Sequence, residues 1–285
     1  MQTSIALIGA GRLGQSLALA LAAAGQPPLA VASRSAQHAQ SLAARVPGCR
    51  AVTLDEAVSA ADLILLTVPD DAIESVAASL PWRAGQSVVH CSGATELSAL
   101  DAAATRGAQV GGFHPLQIFS DPERAADLIA GSSVVIEAEP PLRQCLLDLA
   151  ELLRMKPMTL PPGARAAYHG AANFAASFLL SMLDEAVQVW SRIGLPPEQS
   201  LQALLPLARG TLESAAAKGL PGALSGALSR GDVGVVQRHL QALDALGGEH
   251  GGFYRELSLR QLSLAKASER LDNETLMRLK DVLGN

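Results

Sequence analysis

The stretch Ser4-Ile5-Ala6-Leu7-Ile8 runs directly into Gly9-Ala10-Gly11-Arg12-Leu13-Gly14, and then into an Ala/Leu-rich helical segment, Leu13 to Ala24. Few features restrict a fold so tightly. The apolar run reads as a buried strand, the glycines as a turn that opens a helix, and a second apolar run, Leu29 to Ala32, begins where a strand–helix–strand unit requires it. In such a unit Gly9 permits the tight turn, Gly11 lets backbone approach a pyrophosphate, and Gly14 lets the helix pack on the strand. Arg12 and Leu13 open that helix, whose N–H groups and positive dipole end attract phosphates.

The same alternation continues. Leu63 to Val68, Ser87 to His90, Val110 to Phe113 and Val134 to Ile136 read as strands, separated by helical stretches such as Gln37 to Val46 and Asp71 to Leu80. Uninterrupted apolar strands between helices imply a parallel sheet covered on both faces, a doubly wound α/β domain. After Leu160 the strand signals stop. "LPPGARAAYHG" turns the chain, and from Ala164 the spacing of Phe174, Phe178, Met182, Ala186, Val189 and Ile193 is helical. Further helices are expected at Pro197 to Ala217, Val233 to Leu246, Gly252 to Ala267 and Glu274 to Leu283. The boundary therefore falls near residue 160: a dinucleotide domain over 1–160 and an all-α domain over 161–285.

The second strand ends in Ser33-Arg34-Ser35, where a carboxylate would ordinarily grip the ribose of NAD. No Asp or Glu occurs before Asp55. Two hydroxyls and a guanidinium suit the 2′-phosphate of NADP instead, and NADP is the expected cofactor. Val68 and Pro69 would lie at the carboxyl edge of the sheet, where ligands bind in this fold, and Asp71 reads as the N-cap of the following helix.

Two further strand ends carry polar groups: His90, Ser92, Gly93 and Ala94 in one loop, and His114, Pro115 and Gln117 in the next. Both should flank the reacting end of a bound dinucleotide. Hydride transfer needs a donor or base near the oxygen or nitrogen being interconverted, which makes His114 and Ser92 candidates. Tyr168 and His169 open the helical half with Asn173 four residues on, and that spacing sets His169 and Asn173 on one helix face. Farther along, Asp232 reads as an N-cap, with Arg230 and His239 near it.

Composition removes several classes. A net charge of −5 offers no basic stripe for nucleic acid. The longest apolar runs are too short for a bilayer, and no signal peptide is recognisable at the start. Cys49, Cys91 and Cys145 are odd in number and far apart, which suits reduced thiols in a cytoplasm, with Cys91 a small filler. No metal site is expected.

The segments "VPDDAI", "VVHCSGA", "GFHPLQIFSDP", "YHGAANFAASFL" and "GALSGALSRGDVGVVQRHLQAL" together resemble a bacterial family over nearly the whole chain. That family joins a Rossmann-like, NADP-oxidoreductase-type domain to a C-terminal domain of unknown function 2520. It is related to dehydrogenases with a helical domain like that of 6-phosphogluconate dehydrogenase. In similar prephenate dehydrogenases a His-Pro and a preceding Ser contact the substrate hydroxyl, and His114-Pro115 and Ser92 match them. In β-hydroxyacid dehydrogenases a Lys, with an Asn four residues later, does the acid–base work, and His169 and Asn173 stand at the matching positions. The resemblance implies an NADPH-dependent oxidoreductase acting on a small molecule between two domains. Two other readings fit the same residues: a non-catalytic NADP-binding sensor or scaffold, and a reductase passing hydride to a deazaflavin. Leu201, Leu204, Leu205, Ala208 and Leu212, at helical spacing, give the helical half more apolar face than one short helix layer needs to bury, and a homodimer is expected.

Overall fold

The computed structural model describes residues 3–284. The chain divides into two compact units, Met1–Phe174 and Ala175–Asn285. The first holds strands β1 (Ile5–Ile8), β2 (Ala30–Ala32), β3 (Arg50–Ala51), β4 (Leu63–Leu66), β5 (Ser87–His90), β6 (Gln109–Leu116), β7 (Ser133–Ala138) and β8 (Lys156–Met158). They form one sheet in the order 3-2-1-4-5-6-7-8. Helices α1 (Arg12–Ala23), α2 (Ala36–Ala43), α3 (Leu54–Ala60), α4 (Ile73–Ser79), α5 (Asp101–Thr105), α6 (Ala125–Ile129) and α7 (Leu142–Leu152) connect them, and α8 (Arg165–Ala175) follows β8.

Alternation along each strand divides the core in two. Ile5 and Leu7 of β1 pack with Leu17 and Leu21 of α1, whereas Ala6 and Ile8 face the other way, with Ala57 and Val58 of α3. Because both faces are apolar, β1 is buried throughout. The first six strands are parallel in the order of a dinucleotide-binding sheet.

Beyond them the architecture departs from the all-parallel expectation. β7 runs antiparallel to β6, and β8 parallel to β7. A strand apolar on both faces has the same pattern in either direction, so the reversal leaves no mark in the sequence. Pairing with β7 also extends β6 through His114 and Pro115 to Leu116, so these residues lie in the strand and not after it. β5 ends opposite Gly112. From there β6 is open on that side, and Pro115 removes no ladder bond toward it.

One capping expectation and one helix are corrected. Asp71 does not cap α4: Asp70–Ala72 forms a 3-10 turn that starts from the Pro69 carbonyl, so α4 begins at Ile73 with Ala72 before it. The single helix anticipated from Ala164 to Ile193 is broken at Ala176 (φ −114°, ψ −94°) into α8 and α9 (Ser177–Arg192).

The second unit continues with α10 (Pro197–Ala223), kinked at Gly219, then α11 (Val233–Ala245), α12 (His250–Ala267) and α13 (Asn273–Gly284). Asp232 stands at the N-cap of α11, but its carboxylate accepts from Arg230 Nε at 2.9 Å instead of capping. Leu228, Val236, Leu240, Ala265, Leu279 and Leu283 make a small core. α9 buries no residue, and α10 buries only Ser200 and Leu204. No helix among the described residues is long and apolar enough to cross a membrane.

Candidate functional site

The sheet order reverses between β1 and β4, and a groove of about 660 Å³ opens at their carboxyl ends. Gly9, Gly11, Ser33, Arg34, Ser35, Val68 and Pro69, all singled out from the sequence, line it. The glycines divide the work. Gly9 adopts φ +120°, and a Cβ there would lie 2.5 Å from the Thr67 carbonyl oxygen. A Cβ on Gly14 would collide with the Gly9 carbonyl, so Gly14 is what lets α1 seat against the turn. At Gly11, the residue before α1, a Cβ would meet nothing within 4 Å. That open space, at a helix N-terminus, is the shape a diphosphate needs.

Arg12 and Leu13 do not line the groove but form the first turn of α1. Ser35 caps α2, its hydroxyl accepting from the His38 N–H at 3.4 Å. His38 and Thr67 also border the groove, and the sequence reading missed both. His38 was detectable as the third residue of a helix that Ser35 caps. The Arg34 guanidinium is exposed and makes no ion pair among the described residues. Asp71 borders the groove beyond Pro69, away from the Ser33–Ser35 turn in sequence. The residues present thus fit a dinucleotide with a phosphorylated ribose.

A second cluster gathers at the ends of β5 and β6. Arg165, Tyr168 and His169 share one face of α8 by their i, i+3, i+4 spacing. His114 Nδ1 lies 3.2 Å from the Tyr168 hydroxyl, and its ring packs edge-on against those of Tyr168 and His169 at 5.7 and 5.9 Å. Gly93 closes the group: a Cβ there would lie 2.7 Å from His114 Nε2 and 2.6 Å from His169 Cδ2. The structure therefore brings His114 and His169 together, with Tyr168 against the His114 ring.

Ser92 lies at the same place with its hydroxyl committed locally. It accepts the N–H groups of Ala94 and Thr95 at 3.1 and 3.0 Å and donates to Thr95 Oγ1 at 2.9 Å. Its side chain shapes the loop that carries Gly93. Asn173 Nδ2 donates to the His169 carbonyl at 3.4 Å, a contact within the helix. His239 is in the second unit, where its Nδ1 lies 2.9 Å from the Tyr254 hydroxyl.

Electrostatics act strongly on His114 and His90. Burial, then the neighbouring His169 and Arg165, lower His114 to about 4, against a smaller upward pull from Asp70. Its imidazole is neutral through the physiological range. Burial together with Arg165 and His114 lowers His90 to about 3. Burial pushes the Tyr168 hydroxyl up, opposed by Arg165. Cys91, buried in the core, is pushed up to about 12 and is inert, as its packing suggests.

Residues 4–93 match the family described as NADP oxidoreductase, coenzyme F420-dependent, and residues 132–261 match the domain of unknown function 2520. No curated protein matches the chain. Among solved structures, the protein BF3122 from Bacteroides fragilis, described as a candidate NADP oxidoreductase, is 26% identical with a TM-score of 0.70, covering 93% of this chain and 98% of that one. The protein TM1727 from Thermotoga maritima is 23% identical with a TM-score of 0.75, over 93% and 100% of the two chains. A reductive aminase from Aspergillus terreus, in complex with NADPH and ethyl levulinate, is 17% identical with a TM-score of 0.63, over 97% and 99%. The last two likenesses concern the fold.

Proposed function

The chain joins an N-terminal segment of the F420-dependent NADP oxidoreductase type to a C-terminal domain of unknown function 2520, and from that membership we propose an NADPH-dependent oxidoreductase of small molecules. One juxtaposition carries the reading. A groove with Arg34 where a ribose carboxylate would stand belongs to the same sheet and unit as a half-buried, neutral imidazole on β6, two strands from β4. NADP, when bound, supplies or accepts the hydride. Gly9, Gly11 and the first turn of α1 hold the diphosphate, and Ser33, Arg34 and Ser35 hold the 2′-phosphate. His114 hydrogen-bonds the reacting oxygen or nitrogen of the substrate, with Tyr168 and His169 fixing its ring and Ser92 shaping the loop opposite. The cofactors named for BF3122 and for the reductive aminase support the choice of NADP.

The deciding experiment measures cofactor choice. Titration should show NADP bound more tightly than NAD. Arg34→Ala should cost NADP about one to two decades of affinity, the value of a charge-assisted phosphate contact of roughly 1.5–3 kcal/mol, and leave NAD unchanged. A wild type preferring NAD, or a variant losing both equally, overturns the assignment. The name of the N-terminal family favours one second reading, a deazaflavin as the hydride partner. Turnover of NADPH by a deazaflavin, with none by ketones or imines, would select it.

We also propose a homodimer formed through the helical unit. Leu180, Ile193, Leu207, Leu212 and Leu220 on α9, its end and α10 are between 57% and 68% exposed, more apolar surface than one helical layer leaves to water. Light scattering at micromolar concentration should give twice the chain mass, and a monomer refutes it.

A further inference from the structure

Arg165 is only 1% exposed and stands outside every motif of the cofactor groove. Its Nε donates to Glu137 Oε2 at 2.7 Å and its Nη1 to the Ser92 carbonyl at 2.9 Å. Nη2 lies against Gly112, where any side chain would collide with it. It has no hydrogen-bond partner among the described residues. His90, paired with Gly112 across β5 and β6 and fully buried, is likewise unpartnered at both ring nitrogens.

As a stabilising device this arrangement is poor. A buried ion pair rarely outperforms apolar packing, and an orphaned guanidinium nitrogen adds the cost of an unmade hydrogen bond. What the guanidinium does achieve is geometric. It ties α8, the helix that carries Tyr168 and His169, to the end of β5 through Ser92, to β6 at Gly112 and to β7 through Glu137. Gly93 is in the loop after β5 and His114 is in β6.

We propose that Arg165 is the positioning residue of this site: its guanidinium docks α8 onto the loop after β5, onto β6 at Gly112 and onto β7 at Glu137, and so sets Tyr168 and His169 against His114. The proposal rests on the reading of His114 as the group that meets the substrate. Its geometry stands independently. The charge acts on the same ring. Facing His114 are Arg165, Tyr168 and His169 from α8, His90 from β5, Asp70 from the turn after β4, and Glu137 through its pair with Arg165. Arg165 is the fixed cation among them.

The test uses the full-length chain and reads the His114 ring by NMR, its Cε1–H signal identified by comparison with His114→Gln. In Arg165→Met the His114 titration should move up by about one pH unit and the contact between the His114 and Tyr168 rings should be lost. Arg165→Lys should keep the charge effect and lose the ring contact in part, since an ammonium cannot reproduce the fork. In Glu137→Gln the cation is unmasked and the His114 titration should move down, opposite to Arg165→Met. General loosening of the fold would raise His114 toward its ordinary value in all three, so the opposed signs separate positioning from mere stability. If Arg165→Met does not fold, the Lys and Gln variants still decide. An unchanged His114 titration and ring contact in a folded Arg165→Met, or upward shifts in every variant, overturns the proposal. NADP titration runs in parallel. Failure of the wild type to bind NADP strikes the functional reading and leaves the Arg165 result standing.

Discussion

Converting His114 to glutamine is expected to lower turnover by about 10²–10⁴-fold, the range for a positioned proton-transfer group, with NADP affinity unchanged. The groove proposed for the cofactor lies at the ends of β1, β2 and β4, whereas His114 is on β6 with the Tyr168 hydroxyl 3.2 Å from its Nδ1. The ring is neutral near pH 7 because its pKa is lowered to about 4. In the oxidising direction that neutral form is the base, so turnover should rise through an acid limb near pH 4 and stay flat above it. The glutamine variant should lack the limb. Unchanged turnover in a folded variant removes the role and transfers it to His169.

The same ring carries a stability consequence. The folded values for His114 and His90 lie below the ordinary 6.5, so between those values the unfolded chain binds more protons than the folded one. Stability from both is complete above about pH 6.5 and drains as pH falls toward 4 and then 3. Replacing His114 by glutamine should flatten part of that decline, which a series of thermal melts from pH 7 to 4 would record.

Much of this was legible in the residues, and the limits have physical causes. The glycine pattern after β1 defines its own surroundings, because φ +120° at Gly9 and the contact of Gly14 with the turn admit no other residue type. The polar turn Ser33-Arg34-Ser35 stands out for its chemistry. By contrast, the reversal of β7 was hidden, since a strand buried on both faces carries no directional signal. The extension of β6 past His114 depends on that reversal. The position of Ser92 was readable, whereas the local bonds of its hydroxyl to Ala94 and Thr95 depend on how the loop folds back. Arg165 escaped notice since a lone arginine in a Pro/Gly-rich turn is usually solvated. Only the tertiary fold reveals it as buried, with Glu137 28 residues away.

Gly9 and Gly11 stand two residues apart, and alanine at each should fail in opposite ways. At Gly9 the new Cβ meets the carbonyl oxygen and carbon of Thr67 at 2.5 and 2.6 Å. Thr67 cannot retreat, because its N–H is bound to the Ile8 carbonyl at 2.8 Å within the paired β1 and β4 ends. Positive φ adds its own penalty for an L-residue, more than about 1 kcal/mol, to an overpacking cost of about 1–3 kcal/mol. Gly9→Ala should therefore lose roughly 2–4 kcal/mol, which lowers the Tm by roughly 5–15 °C in a chain of this size. Gly11 has φ −75° and ψ −175°, an extended conformation that alanine adopts freely, and its Cβ would enter open space. Gly11→Ala should leave the Tm unchanged. The methyl would occupy the volume through which a diphosphate reaches the backbone N–H groups of α1, so NADP affinity should fall about tenfold or more, ~1.4 kcal/mol at least. Melting curves and cofactor titrations on both variants check the pair. A Gly11→Ala protein that melts normally and binds NADP as well as the wild type would mean that the diphosphate does not lie at this turn.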